Sequence, residues 1–95
     1  MLTMRSSPTE AFVFIYRVRP RTVEPEQARF CTVLSLAARM NDAEKIAINC
    51  VHQHGYHILR TDTAARLERD QLARYPEDAS DVAELRRYGT VFHLA

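Results

Sequence analysis

The chain has 95 residues, a formal net charge of +1, 46% hydrophobic residues and 26% charged ones. That length forms one domain that can bury a core without metal or disulfide staples. The small charge argues against strong non-specific nucleic-acid binding, which shows as a basic excess, and no apolar run approaches the roughly 20 residues that span a bilayer.

Residues 1–10, MLTMRSSPTE, are polar and read as a flexible arm ahead of a single domain over 11–95. They lack the apolar stretch of a secretory signal, so a cytoplasmic protein is expected, with Cys31 and Cys50 as reduced, buried thiols. In AFVFIYRVRP, residues Phe12, Phe14, Tyr16 and Val18 point one way and Val13, Ile15, Arg17 and Arg19 the other. The first half is apolar on both faces, which predicts a central strand covered on both sides at one end. Pro20 ends it. A polar loop follows over 21–28.

Segment 30–39, FCTVLSLAAR, admits two readings. Phe30, Thr32, Leu34 and Leu36 alternate with Cys31, Val33 and Ser35, as in a strand paired with the first one. A helix beginning at Pro25 is the alternative. The strand is favoured, because aromatic and β-branched residues gather at its start.

The stretch 41–62 reads as one unit. Asn41 is the expected N-cap, with Glu44 placed for a capping box. Ala43, Ile46, Ala47, Cys50 and His54 form the expected apolar face, and Ile48 falls off it. Gly55 stops the helix in the left-handed conformation. A strand over 56–62 follows, with Tyr56 and Ile58 opposite His57 and Leu59. Residues 63–75 read as an extension of that strand leading into a solvated helix. Glu77, Asp78, Asp81 and Glu84 are dipole partners of a second helix, whose apolar side is Val82, Leu85 and Tyr88. Gly89 stops it, and 90–95 is a short edge strand.

The predicted fold is therefore α+β, in the order β-β-α-β-α-β, with a mostly antiparallel four-stranded sheet and helices packed on one face. The order resembles that of small bacterial α+β proteins with no assigned function, and it carries no diagnostic motif.

Gly55 and Gly89 are the only glycines. Both are helix stops, so there is no phosphate-binding loop, dinucleotide fingerprint or nucleophile elbow. No catalytic set assembles from spacing, and no cofactor is expected. Cys50 and His54 are spaced to grip a metal from one helical face, and His57 and His93 extend this into a polar cluster. The simpler reading makes Cys50 a core residue, His54 a helix-end residue and the other two strand residues facing a polar patch, so no metal is expected.

Arg17, Arg19 and Arg21 would share one face of an extended chain. Basic residues beside a sheet that carries aromatics can bind single-stranded nucleic acid. The glycine-bearing RNP1 pattern of an RRM is missing. The leading expectation is non-catalytic: a small assembly or binding module, self-associating as a homodimer or higher through an exposed sheet face or edge. Nucleic-acid binding through the arginines is the alternative, a metal-dependent enzyme a distant third, and no membrane partner is expected.

Overall fold

The computed structural model describes residues 9–21, 28–68 and 79–94. Within them lie β1 (Glu10–Pro20), β2 (Arg29–Ala37), α1 (Met40–Gln53), β3 (Tyr56–Leu67), α2 (Ala79–Tyr88) and β4 (Thr90–Leu94). The strands form one sheet in the order β3-β1-β2-β4. Every neighbouring pair is antiparallel. The fold is α+β with the expected element order, and 30–39 is strand up to Ala37.

The alternation along β1 sorts the core into two layers. On the first face Phe12, Phe14, Tyr16 and Val18 join Cys31 and Val33 of β2 and Ala43, Ala47, Cys50 and Val51 of α1. On the second, Ala11 and Val13 join Leu34, Leu67, Val91 and Leu85 of α2. The helices therefore lie on opposite faces of the sheet, not on one face as the sequence suggested. The reason is visible in β1 itself: a strand that is apolar on both sides must be covered from both sides.

The α1 helix differs from expectation in two details. Arg39, extended at φ −137° and ψ 152°, holds the N-cap position without a side-chain bond, so Asn41 lies inside the first turn. Its carbonyl accepts from the Ala43 N–H at 3.0 Å. The buried face is also rotated. Ile46 is exposed, whereas Ile48 packs against the first core.

The helix stops match expectation. Gly55 has φ +87° and Gly89 φ +79°, the region where a side chain is costly. Their N–H groups donate to the carbonyls of His52 at 3.0 Å and Leu85 at 2.8 Å.

Strand β3 continues beyond residue 62 to Leu67, as the expected extension, and is bulged twice. Its register against β1 steps from Thr63 to Thr61 and from Arg60 to Ile58, leaving Asp62 and Leu59 as the extra residues. On the first face, the Phe92 ring of β4 lies 4.1 Å from that of His54 and 6.1 Å from that of Tyr56. Tyr56 and Phe92 belong to the two outermost strands, so the sheet curls around the end of α1.

In α2, Leu85 is buried, but Tyr88 is not part of the buried side: it is 64% exposed, beneath the Arg87 guanidinium. The expectations for residues 1–8, 22–27 and 69–78, and for the side chains of Asp81 and Val82, lie outside the described residues. Among the described residues no helix is long and apolar enough to cross a membrane.

Candidate nucleic-acid interface

Exposure rises along the second face of β1. Ala11 and Val13 are buried, Ile15 and Arg17 are half-buried, and Arg19 is exposed. Strand β2 runs the same course from buried Leu34 through half-buried Thr32 to Phe30, which is 40% exposed. The gradient follows from the reach of α2. Its Leu85 clusters with the Ala11, Val13 and Leu34 end of the sheet.

The strand register then decides what occupies the outer half. Arg17 is directly opposite Phe30 on β2 and Arg60 on β3. Directly opposed residues share a face, so Arg60, Arg17 and Phe30 form one row across three strands. Arg19 is opposite His57 in the next position outward. The Arg17 guanidinium lies over the Phe30 ring, 5.4 Å from its centroid, within cation–π range.

The charges in this row are unevenly compensated. Arg60 Nε donates to Asp62 Oδ1 at 2.7 Å. Among the described residues, neither Arg17 nor Arg19 forms an ion pair with a carboxylate. Elsewhere on β3, Arg66 is held between Glu10 at 3.1 Å and Glu68 at 3.0 Å. Like charges directly opposite one another destabilise a sheet. The Arg17–Arg60 pairing is such a placement, offset at Arg60 by Asp62.

Arg21 is placed elsewhere. Its backbone N–H donates to the Gly55 carbonyl and its Nη2 to the His52 carbonyl, both at 3.0 Å. It ties the end of β1 to the α1–β3 turn, the His52 carbonyl also accepting from the Gly55 N–H. The aromatics that the sequence placed beside the arginines, Phe12, Phe14 and Tyr16, are buried beneath α1. The exposed ring on the basic face is Phe30.

The polar cluster does not converge. Cys50 and His54 adjoin on α1, with Sγ and Nδ1 3.8 Å apart. The His54 Nδ1–H donates to the Cys50 carbonyl at 2.8 Å, an acceptor-only partner that fixes this tautomer. The alternation of β3 and β4 puts His57 and His93 on the opposite face from Tyr56, Ile58, Phe92 and Leu94. Among the described residues no three of His, Cys, Asp and Glu gather as metal ligands would.

Both thiols are shielded. Burial pushes Cys31 up from 9.0 to about 11, and burial likewise raises Cys50. Neither has the electropositive, accessible setting that activates a thiolate. Burial, with Glu44 nearby, also raises Tyr16.

No known protein family, curated protein or solved structure matches this chain.

Proposed function

We propose that the outer half of the second sheet face is a nucleic-acid-binding surface, with Arg17 and Arg19 as phosphate contacts. The observation that carries the reading is the pair of arginines without carboxylate partners among the described residues, one of them lying on an exposed aromatic ring. A polyanion would supply a counter-charge to Arg17 and Arg19. The test is a fluorescence-anisotropy titration of a labelled oligonucleotide with the native protein and with the Arg17→Ala, Arg19→Ala double variant. Loss of binding in the variant supports the surface, and equal binding removes it.

Self-association is the second reading, favoured by Phe30 and Leu59, which are 40% and 50% exposed. It stands behind the first for two reasons. The open apolar face that motivated it is partly filled by α2. An isologous dimer across the remaining half would also bring Arg17 and Arg19 of both copies into one interface. At one of the two edges, pairing meets a bulged β3 that carries Arg60, Asp62 and Arg66, features that discourage edge pairing. Light scattering at tens of micromolar, roughly the range in which a useful interface assembles, separates the readings. A dimer that dissociates on Phe30→Ala would favour association through this face.

A further inference from the structure

We propose that Phe30, with the Arg17 guanidinium on its ring, is a stacking platform for one unpaired base, so that the ligand of this face is single-stranded. This rests on the nucleic-acid reading above and adds a specific contact to it. The other described aromatic pairs, Phe14–Tyr16, His54–Phe92 and Tyr56–Phe92, all belong to the first face. Two exposed rings carry a cation: Tyr88 on α2 beneath Arg87, and Phe30, 40% exposed on the second face of the sheet beneath Arg17, and Phe30 is the one in line with Arg19 on β1. A planar guanidinium backed by an aromatic ring offers a flat, electron-poor surface of the kind on which bases stack.

The geometry favours a single strand. A duplex turns base edges toward its grooves and keeps base faces in the stack. The Phe30 ring has no hydrogen-bonding group for a base edge and offers a plane for a base face, while the Arg17 N–H groups beside it are left to donate to a phosphate. Arg19 stands two residues beyond Arg17 on the same side of β1, a spacing of about 7 Å along a strand. Its guanidinium can reach a phosphate next to the stacked nucleotide. His57, opposite Arg19, borders the same point.

The chain contains no tryptophan, so Phe30→Trp creates a single fluorophore at the platform. Its emission would be followed during titration with a short single-stranded oligothymidylate, with a duplex of equal length and with inorganic polyphosphate. The expected result is saturable quenching by the single strand alone. In parallel, Phe30→Leu should weaken single-strand binding about five- to 150-fold with the salt dependence unchanged, while Phe30→Tyr should stay near the native value. Thermal denaturation of each variant confirms that it is folded. Duplex and single strand bound equally, without quenching and with Phe30→Leu at native affinity, would overturn the stacking platform and leave the basic face standing. Absence of binding to any of the three polyanions would overturn both.

Discussion

The salt dependence of binding distinguishes a two-arginine phosphate site from diffuse attraction. Each single-strand phosphate neutralised contributes about 0.7 to the slope of log affinity against log salt. Arg17 and Arg19 are the two cations of the proposed site without a carboxylate partner among the described residues, so the expected slope is about −1.4. Between 50 and 200 mM salt the affinity should then fall by about sevenfold. The Arg17→Ala, Arg19→Ala double variant should flatten this dependence almost to zero. Two controls fix the interpretation. Arg66→Ala removes a positive charge already neutralised by Glu10 and Glu68, and should leave the slope unchanged. Arg21→Ala removes the bond to the His52 carbonyl, so it should cost about 0.5–1.5 kcal/mol of stability without altering the slope. Anisotropy titrations across the salt range measure the slopes, and urea denaturation measures the stabilities. A native slope near −1.4 that survives in the double variant, or one that Arg66→Ala reduces as much, would refute the assignment.

Three stability predictions accompany it. A Cβ on Gly55 meets nothing within 4 Å, so Gly55→Ala should cost only the left-handed backbone penalty, about 1–2 kcal/mol, read as a fall in Tm of roughly 4–16 °C; a much larger loss would mean that the turn is crowded. Leu85→Ala should cost about 2–5 kcal/mol because it empties the α2 contact with the second face, whereas Ile46→Ala should stay within about 0.5 kcal/mol, and equal losses in urea denaturation would contradict the rotated α1 face. The Cys31 thiol resists ionisation in the fold, with its value raised from 9.0 to about 11, so the stability it contributes is full below about pH 9 and declines as pH rises through about 11; the urea midpoint should fall over that window less steeply in Cys31→Ala than in the native protein.

Much of this architecture is legible in the chain. Alternation in β1 separates Phe12, Phe14, Tyr16 and Val18 from Val13, Ile15, Arg17 and Arg19, and the structure keeps that division. The two glycines mark the helix ends because little else tolerates a positive φ there. The position of the helices is less legible, because periodicity identifies an amphipathic helix without saying which sheet face it covers. The apolar face of α1 is ambiguous for a related reason: Ile46 and Ile48 are equally hydrophobic, and only packing against the first core selects Ile48. Asn41 illustrates a local preference overridden, since an extended Arg39 starts the helix first. At the site, Arg17 and Arg19 follow from strand periodicity. Arg21 follows the same period but lies beyond the strand, where it bonds the α1–β3 turn. Phe30 and Arg60 depend on the strand register, which residue types alone do not set. Once the β1–β2 register is known, the Arg17–Phe30 pair is immediate.

The two helices and the arginines are linked by a single geometric fact. Had both helices packed on the first face, the second would carry Val13, Ile15, Leu34 and Leu36 bare, and burial of that apolar surface against another copy would dominate its behaviour. With Leu85 of α2 over the Val13–Leu34 end, the demand for an apolar partner falls, and what remains outward is Arg17, Arg19, Phe30, Arg60 and His57. Desolvating Arg17 and Arg19 against a second copy carries a penalty that no carboxylate partner among the described residues offsets, while a phosphate backbone offers the opposite charge along its length. The side of the sheet on which α2 lies is thus what supports the proposed polyanionic ligand over self-association. This argument makes α2 and the arginines separable by experiment: Leu85→Ala, if still folded, should increase self-association while leaving the salt slope of oligonucleotide binding in place.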